Sequence, residues 1–166
     1  MRSSRCLRFS RPERLSIVRA VVQRASNARV RVSGKTVGEI GHGLLVLVSV
    51  GVDDDAGDAR AMADKIAGLR IFPDDRGLMN CSVVDAHGAV LLVSQFTLHG
   101  DARRGRRPSF VTAAREPQAR DLYERVGASL AAGGLNVAYG EFGAQMDVEL
   151  VNTGPVTILL DTKRAF

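Results

Sequence analysis

The chain has 166 residues, 45% hydrophobic and 25% charged, an ordinary globular composition with enough length to bury about two-thirds of its unfolded surface. No apolar run reaches the roughly 20 residues that span a bilayer, and Cys6 and Cys81 are too few for a disulfide framework and lack metal-ligand spacing. The net charge of +5 belongs mostly to one end: residues 1–17 carry five arginines against Glu13, so residues 18–166 hold 18 basic and 17 acidic residues, only +1.

The N-terminal stretch MRSSRCLRFSRPERLSI reads as a basic extension outside the fold, disordered or preceding the true start. Its arginines and serines fit a transit peptide or an arm for RNA phosphates. The expectation carried forward is translation from Val18, because a valine codon is a common alternative start in bacterial genes. Residues 18–166 then form one domain. With no tryptophan and two tyrosines, that domain has few rings on which single-stranded bases could stack. Few cysteines and no spanning segment fit a cytoplasmic setting.

From Val18 the pattern is strand-rich. VRAVVQR (18–24) and ARVRVSG (28–34) are short β-branched runs, the second alternating Val30 and Val32 against Arg29 and Arg31. Ser33-Gly34-Lys35 makes a hairpin turn into TVGEI (36–40). GLLVLVSVG (43–51) is continuously apolar, as in a strand covered on both faces. Asp53, Asp54 and Asp55 precede a helix over 56–70, with Ala59, Met62, Ile66 and Leu69 on one face. Three adjacent carboxylates raise a cation site, but an N-cap with helix-dipole partners is the plainer reading.

FPDDRGLMN (72–80) reads as a loop turning around Asp74 to Gly77. AVLLVSQFTL (89–98) is the strongest strand, followed by an arginine-rich loop over 99–110. A second helix covers 117–132, with Ala119, Leu122, Val126 and Leu130 on one face. Strands at 135–141, 146–152 and 155–161 close the chain. This order predicts an α+β domain with two main helices on a mixed or antiparallel, barrel-like sheet.

Three stretches depart from simple patterning. Ser94, Gln95 and Thr97 make the end of the strongest strand polar where it should leave the core, either a site or a strand emerging into solvent. Ser94 lacks a G-x-S-x-G elbow, and nothing in the sequence fixes His42, His87 or His99 against it, so a Ser-His-Asp hydrolase has little support. GDARRGRRPS lacks the Gly-Lys-Ser/Thr ending of a nucleotide phosphate loop. Its Arg103, Arg104, Arg106 and Arg107 are dense enough to call for an anion, of which nucleic-acid phosphate is the obvious one, unless the loop is merely exposed. Phe142, beside Gly143 and Ala144, is pocket wall or plain packing. Finally, NTGPVT puts a proline at a strand start, where it costs no ladder bond.

Together SQFTL, GRRPSF, EFGAQM and NTGPVT, in this order and spacing, resemble the D-aminoacyl-tRNA deacylase family; the likeness runs over 18–161 and includes GLLVLVSVG, LRIF and MN. The resemblance implies a homodimer in which a cis Gly154-Pro155 enters the partner's active site, facing Ser94, Gln95, Phe96 and Thr97 with Phe142 nearby. That backbone would exclude L side chains and admit D-amino acids or glycine. It implies ester hydrolysis on aminoacyl-tRNA assisted by the terminal 2′-hydroxyl, with Thr97 and Ser94 positioning the ester or stabilising its oxyanion. It also implies no cofactor or metal and no membrane or DNA partner, leaving the arginine loop for tRNA phosphate. His99 and Thr153 differ from what many relatives carry at these positions. The remaining alternatives are a non-catalytic RNA-binding module and a small-ester hydrolase centred on Ser94.

Overall fold

The computed structural model describes residues 18–162, and the basic extension expected over 1–17 lies outside the described residues. The first element, β1 (Arg19–Val32), is one 14-residue strand where two short runs were expected. Ser26 and Asn27 do not end it, because both edges of β1 are paired through this region. On one edge lie β2 (Lys35–Ile40) and β3 (Gly43–Ser49), each antiparallel to β1. On the other, β8 (Asp147–Asp161) runs antiparallel along nearly the whole strand. The local turn preference is absorbed as register shifts against β8 near Ala25. Between β1 and β2 the chain reverses through Ser33 (φ 50°) and Gly34 (φ 77°), two left-handed residues that match the twist of the strands they join.

β6 (Ala89–Ser94) lies parallel to β3, and β7 (Val137–Tyr139) lies parallel to β6. The sheet order is therefore β2-β1-β3-β6-β7, with β8 on β1. β7 comes back against β2: a Cβ added to Gly38 would lie 2.2 Å from the Tyr139 carbonyl oxygen. The mixed sheet is thus rolled nearly into a barrel, as the α+β expectation had it.

Its inside is lined by Ala25, Ala28, Val30, Leu45, Leu91 and Val93. Its outer face, with Val22, Leu44, Val46, Val48, Val90 and Leu92, is covered by α1 (Ala56–Gly68) and α2 (Gln118–Ala132). Burial on both faces explains the unbroken apolar run of β3. At the start of α1, Asp55 caps the helix and exchanges hydrogen bonds with Asp58 in a capping box. Asp54 instead turns inward and accepts from the Gly51 N–H at 2.6 Å.

The loop expected over 72–80 is a small hairpin of β4 (Phe72–Pro73) and β5 (Met79–Cys81). Its turn is where the sequence puts it. The Asp74 carboxylate accepts from the N–H groups of Arg76 and Leu78 and from Asn80 Nδ2, bonds that hold its pKa below the usual carboxylate value. The strands expected at 89–98 and 135–141 are shorter, ending at Ser94 and Tyr139. No helix among the described residues is long and apolar enough to cross a membrane.

Candidate active site

β3 and β6 end side by side, with Val48 opposite Ser94, and the Gln95 N–H donates to the Val48 carbonyl at 2.8 Å. The chain then leaves the sheet. Residues 96–98, expected to continue the strand, instead form a 3-10 turn over Phe96–His99. The turn is closed by the Leu98 N–H, which reaches back to the Gln95 C=O at 3.2 Å.

A cleft of about 660 Å³ opens at this strand end, between the sheet, α2 and the segment that follows β7. Ser94, Gln95, Phe96 and Phe142 line it, as does Ser49 from β3. Thr97 is exposed on the turn, and its Oγ1 accepts a hydrogen bond from the Gln95 side-chain amide. The sequence-predicted residues on β6, the turn and Phe142 are therefore brought together.

Phe142 sits in the turn between β7 and β8, its ring 5.6 Å from that of Tyr123 on α2. The Arg120 guanidinium lies over the Phe142 ring, 4.6 Å from its centroid. Tyr123 donates its hydroxyl to the Leu92 carbonyl at 2.8 Å. Burial pushes its phenol well above the ordinary value, so it stays a neutral donor. Phe96 meets Phe110 edge-to-face at 5.1 Å across the mouth. Neither Tyr123 nor Arg120 stood out in the sequence, because a helix residue facing a cleft has the same pattern as one facing a core.

His99 is buried, and its Nδ1 lies 2.6 Å from the equally buried Ser49 Oγ. Its nearest serine in sequence is Ser94, but the hydrogen bond is made to β3 instead. This pair was not legible from spacing, since 50 residues separate its members.

The strands expected at 146–152 and 155–161 are a single strand, β8. Asn152-Thr153-Gly154-Pro155 does not end it; the segment bulges. Asn152 pairs with Ala25 and Thr157 with Gln23, so residues 153–156 oppose Arg24 alone. The Gly154-Pro155 peptide is cis, and Gly154 has φ +132°, a conformation that favours glycine. Both residues are exposed, and neither lines the cleft of its own chain.

Side chains fix this bulge from both sides. Asn152 Oδ1 accepts from the Val156 N–H at 2.7 Å, and its Nδ2 donates to Thr157 Oγ1 at 3.0 Å. Arg24 donates to the Thr153 carbonyl at 2.9 Å and to the Ile71 carbonyl at 2.6 Å. The Glu116-Pro117 peptide before α2 is also cis, which the sequence did not signal.

The arginine loop is exposed from Ala102 to Ser109 and is closed at its base by paired backbone bonds between Asp101 and Ser109. Its four arginines are not equivalent. Arg103 grips Asp101 through Nε at 2.9 Å and Nη2 at 2.6 Å, which holds the Asp101 carboxyl far below the usual range. No ion pair among the described residues engages Arg104, Arg106 or Arg107. Nor does any group of three or more His, Cys, Asp or Glu side chains among the described residues form a metal-binding arrangement.

Residues 21–161 match the family model described as D-Tyr-tRNA(Tyr) deacylase. The D-aminoacyl-tRNA deacylase of Symbiobacterium thermophilum is 57% identical over 150 residues, 90% of this chain and 99% of the relative. That of Koribacter versatilis is 58% identical over 149 residues, 90% of this chain and all of the relative. Among solved structures, one described as c-Myc DNA Unwinding Element Binding Protein superposes with a TM-score of 0.81 at 38% identity, over 86% of this chain and 97% of that one. A probable eukaryotic D-amino acid tRNA deacylase shares the fold, with a TM-score of 0.74 at 19% identity over 87% and 99% of the two chains. With its cleft at the SQFTL strand end and this match over nearly all the described residues, the chain belongs to the D-aminoacyl-tRNA deacylase family of ester hydrolases.

Proposed function

We propose that this deacylase selects its substrate by chirality, with Gly154-Pro155 of one subunit closing the cleft of a second in a homodimer. One observation carries the reading: the Gly154-Pro155 bulge is exposed, side-chain-braced and absent from the wall of its own chain's cleft. A rigid backbone bulge of this kind suits contact with another surface. The edge of β8 away from β1, which pairs with no other strand among the described residues, gives a two-fold partner a place to dock. An L side chain would collide with the inserted backbone, while a D side chain or the hydrogen of glycine would not. Glycine mischarged onto the alanine tRNA is then a second substrate.

Hydrolysis on this reading leans on the RNA. Ser94 lines the cleft and Thr97 stands on the turn beside it, while the His99 Nδ1 is engaged with Ser49. Ser94, Gln95, Phe96 and Thr97 would position the ester and its developing oxyanion, and the terminal 2′-hydroxyl would help to activate water. Phe142, in contact with Tyr123 and Arg120, would form a wall of the cleft. Arg104, Arg106 and Arg107 would take tRNA phosphates, with Arg103 partly committed to Asp101. The reaction belongs where charged tRNA is used, in the cytoplasm.

The test is a deacylation time course with D-tyrosyl-, L-tyrosyl- and glycyl-tRNA, using protein that starts at residue 18. Release from the D and glycyl forms with the L form spared is expected. Equal hydrolysis of D and L would rule out the filter. A serine hydrolase centred on Ser94 would lose all activity in Ser94→Ala, where an RNA-assisted enzyme is only weakened. Sedimentation showing an active monomer at assay concentration would rule out the shared site.

A further inference from the structure

The 3-10 turn that carries Phe96 and Thr97 has little to hold it by itself. It is four residues long, and its own backbone supplies Leu98 N–H to Gln95 C=O at 3.2 Å and Gly100 N–H to Thr97 C=O at 2.9 Å. Gln95 makes no side-chain cap. Short 3-10 segments have poor hydrogen-bond geometry and take their position from their surroundings.

Besides the Phe96–Phe110 ring contact, two polar tethers come from elsewhere in the fold. Arg19 on β1 donates from Nη1 to the Leu98 carbonyl at 3.0 Å, and its Nε reaches Asp161 on β8 at 3.4 Å. The other is the Ser49–His99 hydrogen bond, 2.6 Å long, between two side chains that are each 2% exposed. With Asp54 they are the buried polar residues among those described. An apolar contact at this place would tolerate small slips of the turn. A directional bond between buried partners does not, because a shift leaves two polar groups unsatisfied away from water.

We infer that Ser49 and His99 form a positioning clamp, locking the 3-10 turn to the end of β3 and so fixing where Phe96 and Thr97 stand at the mouth of the cleft. Ser49 lines the cleft, whereas His99, the last residue of the turn, is not among the residues that line it, so the imidazole acts through the turn and not on the substrate. The inference rests on the deacylase reading of this cleft. Its chemistry is placement: rates of positioned reactions fall steeply when a contacting group is misplaced by about 1 Å.

The test compares Ser49→Ala, His99→Leu and His99→Asn with the parent chain on D-tyrosyl-tRNA. Asn places an amide nitrogen close to the position of Nδ1 and can keep the bond to Ser49; Leu fills the space and cannot. With the clamp, kcat falls on the order of tenfold in Ser49→Ala and His99→Leu. KM stays within about twofold, because Arg103, Arg104, Arg106 and Arg107 are unchanged. His99→Asn recovers most of the lost rate. The double variant Ser49→Ala/His99→Leu removes both members of this bond at once, and circular dichroism against the parent checks that its fold is kept. It should be no slower than the worse single variant.

In the substrate-free protein, the Phe96 and Thr97 amide resonances should move or broaden in Ser49→Ala. An active parent with unchanged kcat in Ser49→Ala and in the double variant would overturn the clamp alone. So would a His99→Asn variant as slow as His99→Leu. A parent chain that releases no amino acid from any of the three charged tRNAs would overturn the reading of the cleft and the clamp with it.

Discussion

Arg24 and Thr153 are joined across the β1–β8 pair by a 2.9 Å hydrogen bond from Nε to the carbonyl that precedes Gly154-Pro155. The same guanidinium donates from Nη1 to the Ile71 carbonyl at 2.6 Å, so one side chain ties the bulge to the chain just before β4. Arg24 is the sole β1 residue opposite the four bulged ones. Truncating it leaves two carbonyls without their charged donor, a loss of about 1.5–3 kcal/mol for such bonds. Arg24→Ala is expected to lower Tm by about 5 °C, measured by calorimetry. It should also narrow the difference between D- and L-tyrosyl-tRNA hydrolysis, whereas a bulge held without Arg24 would leave that ratio as it was.

A side chain at Gly154 is strained by the backbone of the bulge. A Cβ there would lie 2.8 Å from Arg24 Nη2 and 2.8 Å from Val156 Cγ2, on backbone with φ +132°. Gly154→Ala is expected to cost about 1–3 kcal/mol, read from urea midpoints, and to reduce D-aminoacyl-tRNA turnover more than it reduces stability. Asn152→Ala removes the acceptor of the Val156 N–H and should act in the same direction by about 1 kcal/mol. Full turnover in both variants would count against a precise role for this backbone.

Charge at the arginine loop gives opposite expectations for two variants. Replacing Arg104, Arg106 and Arg107 with alanine should raise KM for tRNA and flatten the salt dependence of binding by about two to three. Asp101→Asn should do the reverse, because it releases Arg103 from its bidentate partner. The Asp101 carboxyl is depressed in the folded chain, so the pair is present at all pH values above the ordinary carboxylate range. It is lost only as pH falls through that depressed value. At neutral pH, then, Asp101→Asn should tighten tRNA binding and steepen the salt slope by about one in a titration of binding against salt.

Val151 and Leu159 are 54% and 55% exposed, apolar side chains on β8, a strand that pairs only with β1 among the described residues. Placing lysine at either position should oppose association through that strand. Leu159→Lys is expected to sediment as a monomer and to lose editing activity, while its circular dichroism stays that of the parent. A fully active monomeric variant would show that one chain completes its own site.

Much of this was readable without coordinates. The period-2 run at Val30 and Val32, the continuous apolar β3 and the helical spacing from Ala59 to Ile66 are local signals, and each element formed where its pattern lay. The family was legible because SQFTL, EFGAQM and NTGPVT stand as contiguous motifs, and Ser94, Gln95, Phe96 and Phe142 from two of them line one cleft. The reading failed where pairing overrode local preference. Ser26-Asn27 and Asn152-Thr153-Gly154-Pro155 look like chain breaks, yet each sits inside a long strand because β1 and β8 pair on either side of it.

What the sequence by itself determined is the alternation of elements and the identity of the motif residues, since both depend on neighbours a few positions apart. The tertiary structure alone decided which side chains hold those motifs in place. Ser49 reaches His99 across 50 residues, and Arg24 reaches Thr153 across 129. Such partners meet because the rolled sheet brings strand ends together, and a geometry set by the register of several strands leaves no periodic trace along the chain.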